Sequence, residues 1–205
     1  MPVEIAERPV VQPDSTCRAQ EHADPRVRRT RKLLQDAFRT LIRGRKFSEI
    51  SVQDVTELAG VNRATFYAHY DDKSSLGVSV MRTDLHAAVV DVFKQKPAFT
   101  AENLVKFGTV VITFIGDIHD GCPKAAADLH GALSTGILDE IYDVVHGWLG
   151  NNKTHLRLFP DCSREAVATV IASSIYGAAF RWVRLSRREQ SAEEVSRGIV
   201  GALVR

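Results

Sequence analysis

Only three cysteines, Cys17, Cys122 and Cys162, occur among 205 residues, and they form no Cys-x-x-Cys pair. They are too few and too scattered for a disulfide framework, and the thiols are expected to be reduced. No apolar stretch is expected to reach the roughly 18 residues that cross a membrane, and the N-terminus lacks a signal-peptide core, so the chain reads as a soluble, cytoplasmic protein with no membrane partner. Neither sign of charge dominates: 27 Lys and Arg stand against 25 Asp and Glu, for a formal net charge of +2. The marks of catalysis are missing too. Ser134 and several His and Asp residues are present, but no Gly-x-Ser-x-Gly elbow, phosphate loop, dinucleotide fingerprint or His-Glu-x-x-His run accompanies them. Neither an enzyme nor a bound cofactor is expected.

What is present is concentrated between residues 51 and 70. Ser51 caps a short helix in which Val52, Val55, Leu58 and Ala59 recur at helical spacing and are expected to face a core. Gly60 supplies the left-handed backbone that stops this helix, Val61 plugs the corner, and Asn62 caps a second helix starting at Arg63. Phe66 falls on the side shared with Val61. Arg63, Ala64, Thr65, Tyr67, Ala68 and His69 are left toward solvent or a groove. Two helices and a tight glycine turn read as a helix-turn-helix, and a guanidinium, hydroxyl, phenol and imidazole on one short helix suit base edges and phosphates. Any small helical domain can also contain such a pair, with Tyr67 and His69 as ordinary surface residues.

The flanks favour DNA. Asp24-Pro25 opens an amphipathic helix carrying Leu33, Leu34, Ala37, Phe38, Leu41 and Ile42 and ending near Gly44. Its first turns hold Arg26, Arg28, Arg29, Arg31 and Lys32, so the basicity is local although the chain is nearly neutral. Downstream, Asp71-Asp72-Lys73 starts another helix whose N-terminus can meet a phosphate.

Thr30-Arg31, the amphipathic helix, the run 47–52, the run 59–70 and Asp72-Lys73 through Leu76 together resemble the N-terminal domain of TetR-family transcription regulators. The likeness covers roughly residues 26 to 80 in unbroken order. By resemblance, Gln53, Arg63, Ala64 and Tyr67 reach bases; Thr65, His69 and Lys73 hold phosphates, and Ser51 matches a capping hydroxyl that can do the same. Arg63 suits guanine, Gln53 adenine, and Ala64 a thymine methyl.

The remainder reads as helical, with breaks at 95–97, 121–123, 150–152 and 159–161. Helices are expected over 74–93, 101–118, 125–148, 163–186 and from the Ser191-x-x-Glu194 capping box to about 204. The β-branched run Val110-Val111-Ile112 is the part of this reading most open to a strand. Residues 1–23, with Pro2, Pro9 and Pro13 and no period, read as a flexible arm; slightly acidic, it is a poor DNA grip. The expected architecture is all-α: arm 1–23, a three-helix helix-turn-helix domain over 24–73, and a helical effector-binding and dimerisation domain over 74–205.

Small residues interleave with branched ones in 163–186, which suits a helix buried between its own core and another chain, although an interior helix of a monomer shows the same pattern. The resemblance implies a homodimer through the helices at 163–186 and 191–204, reading a palindromic operator on double-stranded DNA. It also implies release by a small-molecule effector. Phe107, Phe114, His130, Tyr142 and Tyr176 are candidates for the effector pocket, and the same residue types serve as plain core. His119, Asp120, Cys122 and His130 lie near one boundary without fixed metal spacing, and Cys122 is a candidate redox thiol. The overall expectation is a DNA-binding regulator acting as a repressor; a broader-acting DNA binder without an effector is the alternative.

Overall fold

The computed structural model describes residues 24–94, 97–121, 130–150, 159, 162–185 and 189–204, with side chains in the helix at 130–149 described from residue 134 onward. The expected arm 1–23, Cys122, the side chain of His130, Ser186, and parts of the four expected breaks lie outside the described residues. Among the described residues there are eight α-helices and no strand, as the periodicity requires: α1 Pro25–Gly44, α2 Val52–Ala59, α3 Arg63–Tyr67, α4 Lys73–Phe93, α5 Ala101–Gly121, α6 His130–Leu149, α7 Arg164–Arg184 and α8 Ala192–Leu203.

The helix starts follow local chemistry. The Asp24 carboxylate accepts the Arg26 N–H at 2.8 Å with Pro25 in the first turn, Ser163 caps α7, and Ser191 and Glu194 form the expected reciprocal box at α8. Val110, Val111 and Ile112 sit inside α5, where burial of Val111 and Ile112 outweighs their preference for strands. Helix α5 runs three residues further than expected, to Gly121. A one-turn 3-10 helix at Phe47–Glu49, which the periodicity does not signal, buries Phe47.

Three expectations about apolar surface are corrected. Leu33 lies at the edge of the α1 stripe and is 41% exposed, while Leu34, Ala37 and Phe38 carry the core contact. In α2 the buried set is Val55, Thr56 and Ala59; Leu58 is 52% exposed, because the helix rolls to put Thr56 inward with its hydroxyl donating to the Gln53 carbonyl at 3.0 Å. Thirdly, one helix is apolar over a membrane-spanning length: α7 is 21 residues long with mean hydropathy 1.3, and 39% of that apolar window is buried. Its composition reflects a face against the bundle plus a second apolar face left uncovered.

The packing centres on α4 and α5. α1 and α2 pack together, and α1 also lies against α4; α4 then continues onto α5 and α6, while α5 packs on α7 and α8 and α6 on α7. Leu104, Phe107, Val111, Ile141, Val145, Leu149, Ile171 and Ile175 form the buried interior of the larger bundle. Two polar seams fix α4. Arg39 of α1 forks onto Asp84 (Nη2 to Oδ1 2.6 Å, Nε to both oxygens 3.1 Å), and Arg82 bonds Glu140 (3.1 Å) and Asp143 (2.6 Å) of α6. Glu140 is only 4% exposed, so its charge needs this partner.

One turn before that pair, α4 and α6 cross at Val78 and Gly136, where a β-carbon on residue 136 would come 2.5 Å from Val78 Cγ1. Gly136→Ala is expected to lower stability by about 1–3 kcal/mol through overpacking, and by less in a Val78→Ala background. Urea denaturation of the single and double variants checks this; an unchanged midpoint in Gly136→Ala contradicts the close crossing.

Candidate nucleic-acid interface

Helix α2 starts with a reciprocal cap. The Ser51 oxygen accepts the Asp54 N–H (3.1 Å), and the Asp54 carboxylate accepts the Ser51 N–H (2.7 Å) and an Arg45 Nη1 hydrogen bond (2.9 Å). The Ser51 hydroxyl, followed by Arg45, holds the Asp54 carboxyl well below its ordinary range. The Ser51 proton is directed at Asp54, so any phosphate contact by this hydroxyl competes with the cap.

The turn is built as its residues require. Gly60 adopts φ 67° and ψ 31°, a left-handed conformation in which its N–H reaches the Glu57 carbonyl and that of Val61 reaches Thr56. Asn62 then caps α3, its oxygen accepting the Thr65 N–H (2.7 Å) and the Thr65 hydroxyl (2.9 Å). Phe66 is fully buried and meets Tyr67 edge-on (5.4 Å) and Tyr70 (5.9 Å). This anchor turns Arg63, Ala64 and Tyr67 outward; all three are exposed, Tyr67 to 57%.

Gln53, on the exposed side of α2, is brought to Arg63 across the turn: Arg63 Nη2 donates to Gln53 Oε1 at 2.8 Å, and Gln53 Nε2 donates to Glu57 Oε1 at 2.8 Å. Four candidate base readers, Gln53, Arg63, Ala64 and Tyr67, are thus exposed on neighbouring elements. Glu57 is a polar member of this surface that the sequence reading did not single out; its i,i+4 spacing from Gln53 is the signal that could have found it.

The expected phosphate contacts are less free. Lys73 donates from Nζ to the carbonyls of Phe47 (2.9 Å) and Ile50 (2.7 Å) and lies 4.4 Å above the Phe47 ring, which leaves one of its three ammonium hydrogens for a phosphate. His69 is half-buried, and burial, followed by the charge of Arg31, pushes its imidazole below the ordinary value. Arg31 itself lies 5.7 Å over the Tyr70 ring. The cationic start of α1 therefore stands beside the turn after α3.

The candidate effector residues are dispersed. Phe107 is fully buried edge-on against Trp148 (4.9 Å), which also meets Phe93 (5.1 Å). Tyr142 stacks on His146 (5.4 Å), and the Tyr176 hydroxyl donates to Ser134 Oγ (2.7 Å); Phe114 is half-buried. A half-open groove of about 380 Å³ lies elsewhere, lined by Val92, Glu102, Val105, Lys106, Val110 and Arg197 among others, and by none of the four described candidates Phe107, Phe114, Tyr142 and Tyr176. At the other expected cluster, His119 Nδ1 is 3.3 Å from an Asp120 carboxylate oxygen.

No family model matches the chain. Over 58 residues it is 38% identical to YxbF, an uncharacterized helix-turn-helix-type transcriptional regulator of Bacillus subtilis; the match spans 28% of this chain and 15% of that protein's length. Among solved structures, the TetR family repressor AlkX from Dietzia sp., implicated in biodegradation of n-alkanes, superposes with TM-score 0.59 at 17% identity, covering 84% of this chain and 94% of that one. The regulator FadR from Bacillus subtilis, solved with stearoyl-CoA, superposes with TM-score 0.51 at 15% identity, covering 84% and 97%. The chain has the fold of the TetR-family transcriptional regulators.

Two outcomes follow from the geometry. Lys73→Ala is expected to cost about 2 kcal/mol of stability without DNA, since two charge-assisted, part-buried bonds to backbone carbonyls are lost; equal denaturation midpoints would contradict the structural task of Lys73. For His69 the folded value lies below the unfolded 6.5. The unfolded chain therefore takes up the proton first as pH falls, so the stability this residue contributes is present above about pH 6.5 and is lost below it. Stability measured from about pH 7.5 down to 5.5 should fall less steeply in His69→Gln than in the wild type; identical slopes would refute the assigned shift.

Proposed function

We propose that this chain is a sequence-specific DNA-binding transcriptional regulator, a homodimeric repressor that reads a palindromic operator and is released by a small-molecule ligand. The observation that carries the reading is the exposed face formed by Arg63, Ala64 and Tyr67 on a short helix that Phe66 anchors from behind, with Gln53 of α2 beside it across the turn. Such a helix fits the major groove, where Arg63 can take paired contacts from guanine N7 and O6. Thr65, His69, Ser51 and the remaining Lys73 hydrogen, with the cationic start of α1, would hold the backbone. In this reading 24–73 is the DNA unit, 74–205 the effector and dimer unit, and 1–23 an arm.

The dimer is supported by what α7 and α8 leave uncovered. Val170 is 50% exposed, Ala166, Ser173 and Gly177 are exposed beside it, and Gly177, Gly198 and Gly201 each have open space where a side chain would stand. A small-residue apolar face on two adjacent helices suits close approach of a second copy, and a twofold pair would present two α3 helices to successive major grooves. Effector control is supported by the Tyr176–Ser134 hydrogen bond and the half-buried Tyr142 in the larger bundle. One observation favours a second reading, a DNA binder without an effector: Phe93 and Phe107 both pack their rings on Trp148. Neither reading includes catalysis.

Selection of bound DNA from a random pool at stated salt, with and without apolar and aromatic small molecules, tests the function. A palindrome should be enriched and lost with an effector; enrichment unaffected by any compound favours the second reading, and no enriched sequence sinks the regulator. Arg63→Ala is expected to relax one position per half-site by about 1–3 kcal/mol. Gly177→Arg should sediment as a monomer and bind the palindrome far more weakly; a retained dimer contradicts the α7 interface.

A further inference from the structure

Helices α2 and α3 carry a three-membered polar chain that neither the fold nor the caps require. Arg63 Nη2 donates to Gln53 Oε1, and Gln53 Nε2 donates to Glu57 Oε1, both at 2.8 Å, with all three side chains exposed. Only one amide orientation of Gln53 satisfies both neighbours, because the flipped amide would face its NH2 to a guanidinium and its oxygen to a carboxylate. The charges at the two ends therefore orient the neutral middle.

Each polar atom of Gln53 already makes one bond in this arrangement, so paired recognition of adenine would have to share both atoms with Arg63 and Glu57, using the one remaining N–H and the second oxygen lone pair. Arg63 commits one of its five N–H donors and keeps the rest for a guanine edge. Gln53 is better placed to aim Arg63 than to read a base. At the far end Glu57 puts a carboxylate on the same exposed surface, where a polyanion held within the ~8 Å screening length would be repelled by it. That charge disfavours every DNA sequence alike, while its hold on Gln53 favours only the one that Arg63 recognises.

We propose that Glu57, acting through Gln53, is a specificity-determining positioning residue that sets the guanidinium of Arg63 and lowers affinity for non-operator DNA. This rests on the DNA-reading function proposed above. Exposed bonds of this kind contribute little to folding, so their removal should register in DNA discrimination and leave thermal stability nearly unchanged.

The test compares the wild-type full chain with Glu57→Ala, Glu57→Gln, Gln53→Ala and Arg63→Ala, by selection from a random pool and by titration against the selected palindrome and random-sequence DNA. Glu57→Ala and Gln53→Ala are expected to relax the same guanine position as Arg63→Ala, by about threefold or more. Glu57→Gln keeps an oxygen for Gln53 and should restore most of that discrimination, yet both Glu57 variants should bind random DNA at least about twofold more tightly because the charge is gone. The inference is overturned if Gln53→Ala relaxes a separate adenine position, if Glu57→Ala changes affinity for all sequences by one common factor, or if the Glu57 variants keep the wild-type profile. Should the wild type itself enrich no sequence, the DNA-reading function falls and the inference with it; a wild-type palindrome with unaltered variants removes this inference alone.

Discussion

A helix of five residues cannot hold its own shape, so α3 takes its geometry from what surrounds it. Gly60 sets the corner that feeds into it, Asn62 accepts the otherwise free Thr65 N–H of its first turn, and Phe66 pins one side against the core beside Tyr70. Because that side is fixed, the opposite side can stay exposed and add nothing to the core without unravelling. The core does not depend on the residues that face outward, which leaves Arg63, Ala64 and Tyr67 free to be chosen for what they touch in a groove.

The same constraint explains why the start of α4 is so heavily bonded. Lys73 draws the carbonyls of Phe47 and Ile50 onto the first turn of α4, joining the segment before α2 to the helix after α3. Further along, Arg39–Asp84 ties α1 to α4, and Arg82 ties α4 to Glu140 and Asp143 of α6, next to the crossing that Gly136 permits. The position of α3 is therefore linked, through one continuous helix and charged contacts of defined geometry, to the packing of the larger bundle. A change in α6 must either break the Arg82 bonds or carry α4 with it.

Features decided within a few residues were legible from the sequence. Asp24, Ser51, Asn62 and the Ser191–Glu194 box act on their own helix turns, and Gly60 acts on its own backbone, so residue type and spacing were enough. Features decided by distant neighbours were not. Leu58 and Thr56 lie two positions apart, and the packing of α2 against α1 and α3 determines which of them faces inward. The partners of Lys73 lie 26 and 23 residues away, and Arg63 meets Gln53 across a turn whose tightness no periodicity specifies. The aromatic residues of the larger bundle were hardest to assign, because Phe107 and Trp148 have the same composition whether they line a cavity or fill it.

The central claim is that the outward face of α3 enters a major groove and that Arg63 meets a guanine there. Methylation interference with dimethyl sulfate on the selected operator tests it most directly, since guanine N7 lies in the major groove and adenine N3 in the minor groove. The account predicts that methylating N7 of one guanine in each half-site blocks wild-type binding, and that the same methylation has no effect on Arg63→Ala. Interference confined to adenine N3, or a guanine signal that persists unchanged in Arg63→Ala, would contradict it.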